Sequence, residues 1–234
     1  HPAGLIADNF AVAGVGATFF NAGAVMAIAL LLFELLKVRI TGPGIACVLL
    51  CAGFSMFGKD IVNIWPIIGG VFLYAKRQED RFDKYIYNAL YGTALAPLIT
   101  EIYLIRCDWI TLIGAIFTGL LIGFIIPPLS TYCLRVHQGY SLYNVGFSAG
   151  LIGTLVVAIL RSFGYMPESQ LVWSYETHWL VIGYLLLLFA VLFLLGWYFN
   201  DWKLEPMLRI HRHSGRLMSD FVLMDGLPPV LMNM

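Results

Sequence analysis

The run from His178 to Phe199 contains no Asp, Glu, Lys or Arg and closes on Trp197-Tyr198, with Trp202 just beyond. About 20 apolar residues cross the roughly 30 Å of a bilayer's hydrocarbon, and Trp and Tyr gather where it meets water. This segment therefore reads as a membrane span, and it sets the terms for the rest of the chain. Ala22 to Leu36 and Trp109 to Ile126 read the same way, as does Asn144 to Phe163, where Gly146, Gly150 and Gly153 suit close helix packing. With 60% hydrophobic and 12% charged residues and a mean hydropathy of +0.82, 234 residues cannot hide their apolar surface in one water-soluble core. The expected fold is all-α, a polytopic transmembrane helical bundle with broken or re-entrant segments. A formal net charge of zero gives no basic field for nucleic acid.

Between these runs the charges fall in short clusters. Lys37/Arg39, the run Lys76 to Lys84, Arg135, and Lys203 to Arg216 are assigned to the cytoplasmic side, and Glu168 and Glu176 to the outside. Thr41-Gly42-Pro43 reads as a helix start, with the helix running to Phe57. Asp8 to Asn21, loosened by Gly14 and Gly16, reads as half a broken helix or a re-entrant turn. Ile61 to Ala75, with Asn63, Pro66 and Gly69-Gly70, is short for an unaided crossing. Tyr85 to Ile105 is long enough to cross, but holds Pro97 and Glu101. Whether Asp8 to Asn21 and Ile61 to Ala75 cross decides the parity of the six to eight expected segments. Cys47, Cys51, Cys107 and Cys133 form no CxxC pair and read as buried reduced thiols, without a metal site. The chain opens on His1-Pro2-Ala3-Gly4, without a signal-peptide pattern, as a fragment would.

The stretch from Ile126 to Gly153 departs most from this pattern. It lies between apolar segments, yet it contains Pro127-Pro128 and carries Arg135, His137, Gln138 and Asn144. Backbone broken at membrane depth must be buried in protein or line a wet cavity, so a re-entrant functional segment is expected here.

An internal repeat is also visible. Gly215 to Asn233 parallels Gly4 to Asn21: Gly4 matches Gly215, Phe10 matches Phe221 and, after one inserted residue, Gly14 and Asn21 match Gly226 and Asn233. Leu142-Tyr143-Asn144-Val145-Gly146 repeats Phe19-Phe20-Asn21-Ala22-Gly23 once more. Residues 1–212 then read as one membrane repeat unit, and 213–234 as the start of a second, truncated copy.

Four groups are candidates for chemistry. Asn21, Asn144 and Asn233 stand where helices are expected to begin, either as caps or facing a cavity where helix N-termini would hold an anionic or polar solute. Arg135, His137 and Gln138 are interface residues or gate residues, and a histidine in a gate would titrate near neutrality. Glu101 is an intramembrane carboxylate suited to proton coupling or cation binding, or else the partner of Arg106 in an interface ion pair. Lys59 and Asn63, at the Gly58-Lys59-Asp60 break, form a plain turn or the floor of a vestibule. HExxH, GxSxG, Walker and GxGxxG patterns are absent, so an enzymatic role has no recognisable seat and no cofactor is expected.

At Phe57-Gly58-Lys59, at Asn63-Ile64-Trp65-Pro66, and above all at Val136-His137-Gln138-Gly139-Tyr140 through Gly150, the chain resembles the bacterial membrane family DUF1576. The resemblance, which extends to Ser219-Asp220-Phe221, implies a longer, internally duplicated bacterial inner-membrane protein and supplies no substrate or site residues. The expected function is a channel or secondary transporter for a small polar or anionic solute, embedded in a lipid bilayer, alone or as a homo-oligomer. The alternatives are a membrane enzyme acting on a lipid or isoprenoid headgroup, with His137 and Glu101 as acid and base, and a non-catalytic scaffold.

Overall fold

The structure, a computed structural model, describes residues 8–138, 144–165, 175–213 and 219–234. The described residues are helical, without a strand: α1 (Asn9–Leu35), α2 (Gly42–Phe54), α3 (Trp65–Arg77), α4 (Ile86–Gly92), α5 (Ala96–Leu104), α6 (Trp109–His137), α7 (Asn144–Ser162), α8 (His178–Phe199), α9 (Glu205–Ile210), α10 (Phe221–Asp225) and α11 (Leu227–Asn233). Four of them, α1, α6, α7 and α8, are long and apolar enough to cross a membrane. The chain divides into two compact units, His1–Arg39 with Ala46–Trp173, and Ile40–Ile45 with Ser174–Met234.

In the first unit, Asp8 to Asn21 is no separate crossing: it continues into the predicted span as one helix, kinked at Gly14 (φ 80°, ψ 167°). That conformation is open to glycine and strained for other residues. The Asp8 carboxylate caps the start, accepting from the Phe10 N–H at 2.9 Å. Asn21, expected at a helix start, lies inside α1, where its amide donates across to another element and leaves the helix no reason to end.

The expected break at Pro127-Pro128 is also corrected. Each proline lacks the N–H that would bond four residues back, yet α6 runs unbroken through both to His137. Pro127 is fully buried, and the hydroxyls of Ser130 and Thr131 donate to its carbonyl at 2.9 and 3.0 Å. Burial in neighbouring protein makes such prolines tolerable at membrane depth. Of the predicted re-entrant stretch, residues 126–137 and 144–153 are therefore helical, and 139–143 lie outside the described residues.

The centre of this unit is the pair α3 and α6, which run parallel with their backbones touching. A Cβ on Gly70 would fall 2.1 Å from the Leu120 carbonyl oxygen, and one on Gly123 would fall 2.0 Å from that of Ile67. Gly119, one turn earlier, receives Pro66 and Ile99. Lipid is as apolar as leucine, so small residues that permit such contact are what hold membrane helices together. The predicted span 85–105 is three pieces, α4, a 3-10 turn at Thr93–Leu95, and α5, lying antiparallel along α6 with Asn88 donating to Ser130 at 2.7 Å. Apolar side chains of α3, α5 and α6 form one core cluster, and Val25, Ala29, Phe33, Cys47, Cys51 and Ile86 belong to a second. Cys107, read as buried, is exposed.

The second unit brings α11 onto α8, where Gly196 admits Met232 and the Pro228 carbonyl. Its tail repeats the beginning of α1. Asp220 caps α10, accepting from the N–H groups of Val222 and Leu223; Gly226 follows at φ 87°, ψ 167°, and Asn233 stands seven residues on. Asp8, Gly14 and Asn21 have the same spacing as Asp220, Gly226 and Asn233, so the insertion and the Phe10–Phe221 match of the sequence alignment give way to one uniform register. Gly4 and Gly215 lie outside the described residues.

Gly123→Leu and Gly70→Leu are expected to force α3 from α6 and to cost more than the ~1–3 kcal/mol typical of overpacking, because backbone cannot move aside. Thermal denaturation in detergent checks this against Gly114→Ala, where the added Cβ meets nothing within 4 Å. At the start of α6, Asp108 accepts from the Thr111 N–H at 2.8 Å and pairs with Arg106 at 3.2 Å. The Thr111 backbone bond, more than the Arg106 charge, holds its carboxyl below the usual range. A carboxylate held low stabilises the fold above the unfolded value of about 3.9 and loses that contribution as pH falls through the folded one. Asp108→Asn should lower the melting temperature at neutral pH, with the gap to the native chain closing below about pH 4.

Candidate functional site

Between α2 and α3, residues 55–64 leave the helix and must satisfy their backbone otherwise. Gly58 turns the chain at φ 90°, packed on Pro97. Three asparagines serve the freed groups. The Asn21 amide donates to the carbonyls of Ser55 (2.9 Å) and Lys59 (2.8 Å). Asn9 gives its side-chain amide to Ser55 and its backbone N–H to Met56. Asn63 donates to the Gly58 carbonyl and the Thr100 hydroxyl, each at 3.0 Å, which ties the break to α5.

This bracing separates the adjacent charges of Lys59 and Asp60. The Asp60 carboxylate accepts from the N–H groups of Val62 and Asn63, while Asn63 Oδ1 accepts from the Asp60 N–H. Lys59 turns inward and is 1% exposed. Its neighbour there is the thiol of Cys51, on which Cys47 and Thr93 also converge. Among the described residues no carboxylate comes within salt-bridge distance of Lys59.

Glu101 is the second buried ionisable group, 5% exposed on α5, one residue past the Thr100 that holds Asn63. The expected partner Arg106 pairs with Asp108 instead. Glu101 accepts a hydrogen bond from the Tyr165 hydroxyl at 3.1 Å.

Asn21, Lys59 and Asn63 thus meet around one break, with Glu101 beside it. The remaining candidates do not join them. His137 and Asn144 hydrogen-bond each other where α6 ends and α7 begins, and Arg135 and Gln138 are exposed at that end. Asn144 is the first residue of α7. Asn233, expected at a helix start, is instead the last residue of α11; in the second unit it donates to the carbonyls of Pro229 and Met207. Cys47 and Cys51, read from the sequence as buried thiols, are buried here beside Lys59, while Thr93 and Tyr165 escaped the sequence reading; the one available signal for the cysteines' place was their i, i+4 spacing on a helix that ends near a lysine. Two open clefts of about 540 and 640 Å³ run along α7, lined by small and apolar residues together with Arg161.

The fold and its interior define an all-helical protein with several membrane-length apolar helices and a polar, ionisable group of side chains buried among them. Residues 1–162 match the model of a family described as a protein of unknown function (DUF1576), and the chain belongs to that family. No curated protein and no solved structure matches it.

Asn21→Leu would leave the Lys59 carbonyl without its side-chain donor and the Ser55 carbonyl with Asn9 alone, at a cost of about 1–3 kcal/mol for a buried group. A fall in melting temperature well beyond that of Asn233→Leu, which is exposed, is the expected outcome in detergent thermal melts.

Proposed function

We propose that the chain is part of a bacterial inner-membrane secondary transporter or channel for a small anion, which binds at the break between α2 and α3. Lys59 carries this reading. Withdrawing an ammonium from water costs on the order of several kcal/mol even after the protein relaxes, and the usual remedy is a carboxylate partner. Lys59 is buried without one among the described residues. A mobile anion supplies the missing charge, and intramembrane ionisable residues mark solute pathways. Transporter sites are commonly built from helices interrupted near the midplane and repeated within the fold. Here the interruption is residues 55–64, and the repetition is the Asp-capped, glycine-kinked start of α1 recurring at Asp220–Asn233. That recurrence supports reading 213–234 as the beginning of a second copy of the unit 1–212. Because Lys59 lies in closed packing, an anion reaches it when helices part on one side at a time.

Geometry disfavours the membrane-enzyme reading. Glu101 lies near the start of α6, where Thr111 bonds the Tyr103 carbonyl and Gly119 receives Ile99. His137 stands at the other end, about 27 Å beyond Gly119 at ~1.5 Å per residue. An acid and a base so far apart do not share a substrate.

The test is counterflow in proteoliposomes, with labelled chloride and nitrate as probes. Lys59→Met is expected to lower exchange at least tenfold while helical content and monodispersity persist, and Lys59→Arg to retain part of it. Absence of exchange by the native chain, or equal exchange by Lys59→Met, would overturn the reading.

A further inference from the structure

We propose that Glu101 is the proton-carrying group of this same site, so that one proton accompanies each monovalent anion; this rests on the anion reading of Lys59. Among the described residues of the first unit, Lys59 is the buried cation and Glu101 the buried carboxylic acid, and the two do not form a salt bridge. They stand on either side of the Asn63 bridge, which bonds Gly58, next to Lys59, and Thr100, next to Glu101.

In a medium of low dielectric the net charge of such a site decides whether the protein can change shape around it. With the site empty, Lys59 is positive and Glu101 negative, and the sum is zero. An anion alone makes the sum negative and faces repulsion from the carboxylate. If a proton adds to Glu101 as the anion settles at Lys59, the carboxylate becomes a neutral carboxylic acid and the sum returns to zero. Both loaded and empty forms are then neutral, and the cycle carries one proton and one anion together without moving net charge.

Among the described residues Glu101 has no ionic partner. From α6 no ionisable side chain faces α5 between Trp109 and Tyr132, and the turn Thr93–Leu95 contributes none. The break offers Lys59, and Asp60, whose carboxylate is engaged with backbone N–H groups. From the end of α7 come Tyr165, which donates to Glu101, and the exposed Arg161. Arg106 is held by Asp108. The Tyr165 hydroxyl can donate to the carboxylate and accept from the acid, so it serves both states.

The experiment compares two fluxes in the same proteoliposomes, with labelled nitrate as probe, because the anion of a strong acid does not cross as its neutral acid. An inward proton gradient should drive native net uptake severalfold above the gradient-free level, with no response to a potassium diffusion potential set by valinomycin. Glu101→Gln leaves the empty site with one uncompensated positive charge. It should lower net uptake at least tenfold more than it lowers exchange and abolish the response to the gradient. Glu101→Asp, which keeps the acid, should retain that response. Net uptake by Glu101→Gln that still follows the gradient, or equal loss of exchange and net uptake, overturns the coupling while the anion site stands. Absence of exchange in the native chain removes the anion site itself and the coupling with it.

Discussion

The break at the heart of the candidate site is shaped by the need to give freed backbone groups a partner where water is absent. Between α2 and α3 that need is met by amides reaching in from other parts of the chain: Asn9 and Asn21 from α1, and Asn63 from the break itself. Such bonds contribute modestly when made and cost far more when their partner is lost. They therefore act as a specification of geometry. With the carbonyls of Ser55, Gly58 and Lys59 engaged, the loop is held in one shape, and that shape turns the Lys59 side chain inward.

The same constraint explains how α6 tolerates two consecutive prolines. A proline pair is a stop signal only if the carbonyls it strands have nowhere to turn and its ring has nowhere to pack. Here the ring of Pro127 is buried among neighbouring protein, and the helix carries on for nine more residues beyond Pro128, past the Gly123 and Phe124 carbonyls that the two prolines leave without an N–H.

What was legible in the sequence divides along a physical line. Runs such as His178–Phe199 and Trp109 onward could be read because the thickness of hydrocarbon is a property of length and composition alone. The kink in α1 could be read at Gly14, because a positive φ has a residue-type signature. The partners of polar side chains could not. Asn21 reads as a cap that accepts, and it works as a brace that donates across to residues 34 and 38 positions away. Glu101 reads as the partner of Arg106, five residues on, but local spacing cannot reveal that Asp108 is better placed or that Tyr165 arrives from 64 positions away. Lys59, Asn63, Asn21 and Glu101 were each legible as unusual, and only the folded chain gathers the first three at one break, with Glu101 next to the Thr100 that bonds Asn63, while setting Arg135, His137, Gln138 and Asn144 at the junction of α6 and α7.

The contact between α3 and α6 bears on how this unit can move. Packed helices ordinarily shift by shear, their side chains trading small adjustments across the interface. At Gly70 and Gly123 no side chains intervene to adjust, and main chain rests on main chain. The pair is thereby locked into a single rigid beam. Reshaping of the unit must come from pivots at its margins, and among the described residues the glycines already at positive φ there are Gly14 in α1, Gly58 beside Lys59 and Gly164 after α7.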